Sequence, residues 1–361
     1  MSVYESDTYK SLIKLSNSMN SLICSFEYLD YHFFKSFLIS IDKKKYSSII
    51  ILIKEDSKEC YNYNHTNALQ FLSKLNQNNV IVKTNSDLNF TGILINNSEL
   101  FIPKYNNNKE IIDVTLSHST SDIMIFKNKF DSILGNCKND FSCFYNATLD
   151  IYIDKALNID QNIINYINDV KSNKIKYKNS NFYSSSEVHL NSSDIPQFSS
   201  FKDGALILPA FLKANNNPGY TFIEIGRLLC TSGKKDAAYT KYGENHAKLA
   251  ELLGLVYITS NPRHVYLSDI GSRFLTLSEY NQRLFLKYQI YNMSVIKCLF
   301  NVCLNKNISI SDFLLNISEL STSTIVRRSS NIKKLIKILI DDCDQNVSDI
   351  FNNCLYPSKD K

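Results

Sequence analysis

Apolar positions change their spacing along the chain, and the changes divide it. Before Cys137, short β-branched runs alternate with stretches of helical spacing. Residues 21–26, 48–54 and 80–83 read as strands, the second apolar enough to be central in a sheet. Residues 31–41 carry Phe34, Phe37, Leu38 and Ile41 at helical spacing. Residues 66–75 place Leu69, Leu72 and Leu75 on one face, and the run Asn76 to Asn79 ends that helix. Residues 92–95 and 99–103 read as a hairpin around Asn96 and Asn97. A strand over 111–116 and a helix over 121–134 complete an α/β domain, expected over residues 1–145.

Periodicity weakens from 158 to 200, where Ser, Lys and Asn dominate and Pro196 interrupts. Residues 146–200 are expected to connect the domains, with one helix near 161–170. Beyond Phe201 helical spacing prevails. Thr221 precedes Glu224 by three residues, a capping box for a helix over 221–229 with Phe222, Ile225, Leu228 and Leu229 as its apolar face. A longer helix over 239–253 can turn Ala247, Leu249, Ala250 and Leu253 inward and leave Lys241, Asn245, His246 and Lys248 nearer solvent. Gly254 stops it, and 256–258 and 264–267 flank the turn 260–263 as a hairpin.

Helix, turn, helix, hairpin is the order of a winged helix, expected over 201–290, whose second helix enters a major groove while the hairpin tip meets backbone or minor groove. Lys241, Asn245, His246 and Lys248 are the candidate groove contacts, and Arg263 the wing contact. A second helix-turn-helix is expected over 291–361. Between Ser321 and Ile340 it carries Arg327, Arg328, Lys333, Lys334 and Lys337 and no acid. Ile325, Ile332, Leu335, Ile336 and Leu339 keep helical spacing, so the helix is amphipathic with a basic polar face. Arg327, Arg328, Lys333 and Lys334 are the candidate phosphate contacts, which would make duplex binding strongly salt-dependent.

Composition narrows the classes. With 40 Lys+Arg against 35 Asp+Glu, the net charge of +5 identifies no nucleic-acid binder by itself, so the local basic run carries that weight. The amino terminus has no apolar leader and the longest apolar run, 49–53, is too short for a bilayer, so a cytoplasmic protein without membrane contact is expected. The nine cysteines form no Cys-x-x-Cys or Cys/His pattern and read as scattered reduced thiols. No glycine-rich phosphate loop exists and no metal-ligand pattern accompanies Asp113 or Asp122, so neither cofactor nor metal is expected. His118 lies between Ser117 and Ser119 without a convincingly spaced acid. His32 and His65 read as structural or solvated.

Two resemblances extend this. The run A-Y-T-K-Y-G-E-N-H-A-K-L-A-E-L-L-G-L-V (238–256), with V-Y-L-S-D-I-G-S-R-F-L (265–275), resembles the winged-helix module of type II restriction-modification and related bacterial proteins. The run T-S-T-I-V-R-R-S-S-N-I-K-K-L-I (322–336) is similar to that module's second helix-turn-helix, and the likeness spans roughly 201–340. The module names no reaction. The order of strands and helices before Cys137 resembles one repeat of the phospholipase D superfamily, in which a strand presents His-x-Lys. There the His attacks phosphorus and the Lys holds phosphate charge. The matching positions here hold Phe90 and Gly92, so the resemblance implies a domain without that catalysis, joining two chains as a homodimer or sensing a ligand. Together the two resemblances imply a double-stranded-DNA-binding protein of restriction-modification or phage defence. A restriction-type endonuclease with a differently placed active site and a protein-binding adaptor are the alternatives.

Overall fold

The run Ser48–Lys54 is apolar on both sides because it is covered on both sides: Ile49, Ile51, Leu52 and Ile53 are all buried. It is β2 of a six-stranded sheet in the order β3-β2-β1-β4-β5-β6. The computed structural model describes residues 6–16, 20–31, 33–34, 37, 48–55, 63–75, 80–106, 110–137, 141–172, 190, 192–230, 235–259, 262–304 and 308–356. The chain divides into two units, Met1–Tyr152 and Ile153–Lys361.

The first unit is mixed α/β. Helix α1 (Asp7–Ser16) precedes β1 (Ser21–Phe26), which pairs in parallel with β2, as β2 does with β3 (Val80–Asn85). Helix α2 (Tyr63–Leu75) lies between β2 and β3 and contains His65. Strands β4 (Gly92–Ile95), β5 (Glu99–Tyr105) and β6 (Ile111–Ser117) continue antiparallel from β1. Asn96 and Asn97 both adopt positive φ, 51° and 60°, a left-handed backbone that asparagine tolerates and that turns the chain from β4 into β5. Helix α3 (Thr120–Gly135) lays Ile123, Phe126 and Phe130 on Leu52, Leu94 and Leu100. The helix expected over 31–41 falls largely outside the described residues, as does His32, but Phe33, Phe34 and Phe37 are buried and Phe34 packs on Phe26 at 4.5 Å.

Among the described residues of 146–200, two α-helices stand where one was expected. Helix α4 (Phe141–Leu157) carries the division between the units, and α5 (Ile159–Lys171) follows, its Tyr166 hydroxyl bonded to Asn301 Oδ1 at 2.9 Å.

In the second unit a π-helical turn (Asp203–Ile207) runs into α6 (Leu208–Ala214), and Tyr220 bridges to Val265. Then come α7 (Phe222–Leu229), α8 (Asp236–Leu252), and the strands β7 (Val256–Ile258) and β8 (Val265–Leu267). Thr221 and Glu224 close the expected capping box, with Thr221 N–H donating to the Glu224 carboxylate at 2.7 Å. Gly254 ends α8 at φ 71°, a left-handed cap that glycine adopts without steric cost. Leu208, Leu212, Phe222, Ile225, Ala247, Ala250, Val256, Val265 and Leu267 form the core. Helices α7 and α8 cross backbone against backbone. A Cβ at Gly226 would lie 1.9 Å from the Tyr239 carbonyl oxygen, and one at Gly243 1.9 Å from that of Phe222. Two helices followed by an antiparallel strand pair is the order of elements expected from the sequence here.

Helices α9 (Asp269–Phe274), α10 (Glu279–Asn292), α11 (Ser294–Cys303), α12 (Ile310–Ile317), α13 (Thr322–Ile340) and α14 (Gln345–Leu355) complete the unit. The expectation of scattered thiols is corrected at one pair. Phe300 packs on Phe351 at 5.2 Å, and the same approach of α11 to α14 joins Cys303 to Cys354 in a disulfide across 51 residues. No close sequence pair announced it, because the partner cysteines meet through helix packing. No helix among the described residues is long and apolar enough to cross a membrane.

Candidate nucleic-acid interface

The outer face of α8 carries its own neutralisation. Lys241 and Lys248 are exposed, but both reach Glu244, at 3.1 and 2.7 Å. The bond from Lys248 above all holds the Glu244 carboxyl below its usual range; burial opposes it, and the bond from Lys241 adds to it more weakly. Asn245 is half-buried beside them. Arg263 is exposed in the turn between β7 and β8 and makes no ion pair among the described residues, while Ser260 and Asn261 of the same turn lie outside them.

His246 corrects the sequence reading. It stands three residues after Gly243 and four before Ala250 along the chain and therefore shares their inward face, a spacing that could have been read. It is fully buried, so it reaches no groove. Its Nδ1 lies 2.8 Å from the Tyr242 carbonyl oxygen and its Nε2 3.3 Å from the Ser200 N–H. A neutral ring that donates through Nδ1 and accepts at Nε2 satisfies both. Burial pushes its pKa below the ordinary 6.5, with Tyr242, Asp203 and Ser200 pulling more weakly the other way. The unfolded chain therefore takes up the proton first, and stability is lost as pH falls below about 6.5. The thermal midpoint should drop between pH 7.5 and 5.5, and His246→Gln should flatten that drop. An identical drop in the variant would remove His246 as its source.

Helix α13 divides its cations by face. Ser323, Val326, Arg327, Ser330, Lys334 and Lys337 recur at i, i+3, i+4, i+7, i+11 and i+14, all exposed on one side, with Lys333 at its border. No acid occupies the helix. Among the described residues none of Arg327, Lys333, Lys334 and Lys337 forms an ion pair. Arg327 Nη2 donates to Thr324 Oγ1 at 3.3 Å, and Lys334 Nζ to the Ser199 carbonyl at 3.3 Å while lying 5.9 Å from the Phe198 ring centre. Both partners are uncharged, so the positive charge is not cancelled.

Arg328 points elsewhere, a second correction. One position past Arg327 turns it about 100° around the helix. Its Nη1 donates to the carbonyls of Ser192 and Ile195, and its Nη2 to Ser192 Oγ at 2.9 Å. Burial, and secondarily the neighbouring Arg327, lowers its pKa. Asn331, buried three residues on, closes two bonds with the Phe198 backbone, donating to its carbonyl at 2.9 Å and accepting from its N–H at 3.0 Å. Arg328, Asn331 and Lys334 thus strap residues 192–199 along α13, and Ser200 continues to His246 in α8. For a duplex bound on this face, neutralising Arg327 and Arg328 together should therefore change the salt slope of binding by about 1, not the 2 that the sequence alone suggests.

Among its described residues the first unit offers no comparable surface. Phe90 meets Phe126 edge-on at 5.6 Å, and a Cβ at Gly92 would lie 2.5 Å from the Phe126 ring, so both positions are filled by α3. Asp113 pairs with Lys104 at 3.4 Å, and Asp122 accepts from Ser117 Oγ at 2.7 Å beside the exposed His118. Among the described residues no three His, Cys, Asp or Glu side chains gather as a metal site.

No protein family and no curated protein matches the chain. Among solved structures, NucT from Helicobacter pylori is similar at 16% identity and a TM-score of 0.30, over 37% of this chain and 91% of that one. TrmBL2, an archaeal chromatin protein whose structure is described as showing a novel mode of DNA binding, is similar at 9% identity and a TM-score of 0.28, over 39% of this chain and 53% of that one. Both likenesses are weak and partial.

Proposed function

We propose that the protein binds double-stranded DNA through its second, helical unit, and that the first unit is a phospholipase D-like domain without hydrolytic chemistry. The observation that carries this reading is the outer face of α13: Arg327, Lys333, Lys334 and Lys337 project from one rigid helix with no carboxylate among them. A duplex presents a closely spaced array of phosphates, and cations fixed in a row release its counterions. Arg263, with Lys241 and Lys248 after exchange of Glu244 for phosphate, supplies further backbone contacts at the winged helix. Filled positions at Phe90 and Gly92 support the non-catalytic half of the reading, because neither side chain moves a proton or holds an anion by charge.

Fluorescence anisotropy with mixed-sequence duplexes tests the binding at low and moderate salt. Binding that weakens steeply with salt is expected, and no binding at low salt would overturn the proposal and favour a protein partner. Supercoiled plasmid should stay intact with or without Mg²⁺. Nicking that the purified full chain retains would reverse the second half of the reading.

A further inference from the structure

Of the two helix-turn-helix units, the geometry points to α13, not α8, as the helix that reads DNA sequence, an inference that rests on the duplex-binding reading above. Helix α12, the turn 318–321 and α13 form the tight helical pair whose second member enters a major groove in proteins of this architecture. Ser309 caps α12 by accepting from Asp312 N–H at 3.1 Å, and Ser311 Oγ meets Ser329 Oγ at 3.2 Å between the helices. Ile325, Ile332, Leu335 and Ile336 are buried beneath α13, so its outer face is held in one orientation.

That face is not uniformly basic. Its first two turns carry Ser323, Val326, Arg327 and Ser330, and its last two carry Lys333, Lys334 and Lys337. Val326 is 63% exposed between an arginine and hydroxyls, where water gains nothing from an isopropyl group. In a major groove each of these side chains has a base edge to meet. Valine methyls pack on the thymine methyl, arginine bonds two acceptors of guanine, and serine accepts or donates at any base. The lysines further along have the reach and charge for flanking phosphates. From Ser323 to Lys337 the face spans about 21 Å at the rise of an α-helix, enough to lie in a groove and reach both walls. Helix α8 lacks this division. Its exposed lysines are tied to Glu244, and one of its polar groups, His246, is sealed inside.

The test is selection of bound sites from a random duplex pool with the full chain, repeated with Val326→Ser, Arg327→Ala and the pair Lys241→Ala/Lys248→Ala. Val326 and Arg327 are exposed, so their variants should fold, which their far-ultraviolet spectra and melting curves check. The unaltered protein should select a consensus. Val326→Ser and Arg327→Ala should each lower discrimination at one or two positions by about tenfold. The α8 pair should weaken binding and leave the consensus unchanged. A consensus unmoved by both α13 variants, a consensus altered by the α8 pair, or binding without any consensus overturns the assignment while leaving DNA binding intact. Absence of binding in every case overturns the duplex-binding reading itself.

Discussion

Replacing Arg327, Lys334 and Lys337 together by alanine should lower the log–log salt slope of duplex binding by about 2.7, at about 0.9 per lost phosphate contact. Between 50 and 200 mM salt the unaltered protein would then lose about 40-fold more affinity than the variant. The size of the effect follows from what those residues lack. A cation already paired with a carboxylate must break that pair before it meets phosphate, and exposed pairs return little when exchanged. The three α13 cations have no such pair among the described residues, whereas Lys241 and Lys248 share Glu244. The corresponding α8 double variant should therefore change the slope by less than two contacts' worth. Titrations at four or more salt concentrations measure both slopes. Equal slopes for the triple variant and the unaltered protein would remove α13 from the phosphate contact.

Gly226→Ala should cost about 3 kcal/mol of stability, the upper range for inserting a methyl into a filled site. The obstacle is the Tyr239 carbonyl oxygen, 1.9 Å from where the methyl carbon would stand, and Gly243 meets the same kind of obstacle in the Phe222 carbonyl. Backbone cannot turn aside as a side-chain end can, so α7 and α8 must separate and expose Phe222, Ile225, Ala247 and Ala250. Gly135→Ala is the control, since a Cβ there meets nothing within 4 Å. Chemical denaturation of both variants provides the comparison. A midpoint for Gly226→Ala equal to that of the control would mean the helices do not cross this closely.

The two units differ in how far they could be read from sequence. In the first, β1 and β2 match their expected bounds because their apolar runs are short, β-branched and bounded by polar residues, and α/β alternation follows. Helices α7 and α8 were legible through their punctuation: Thr221 and Glu224 at one helix start and Gly254 at the next helix end. What sequence could not show is where a polar side chain points when its partner is distant along the chain. Arg328 and Arg327 look equivalent in a basic run, yet one is consumed by carbonyls 133 and 136 residues away. Residues 192–200 lack periodicity because α13 and α8 hold them through backbone bonds from Arg328, Asn331 and His246, an arrangement that leaves no apolar repeat to detect. His246 is different: its inward spacing with Gly243 and Ala250 was present, and its polarity masked it. The disulfide between Cys303 and Cys354 likewise arises from helix packing rather than spacing.

The acid-free face of α13 against duplex DNA is the central claim, and site-specific photocrosslinking examines it without inference from affinity. A benzophenone side chain introduced in place of Ser330, at the middle of that face, is exposed and leaves the charges of Arg327, Lys334 and Lys337 intact. Irradiation with a duplex under conditions where anisotropy shows the labelled protein bound should give a covalent protein–DNA adduct from Ser330. The same label at Tyr280, exposed on α10, should give little. A bound complex that yields no adduct from Ser330 would contradict the account.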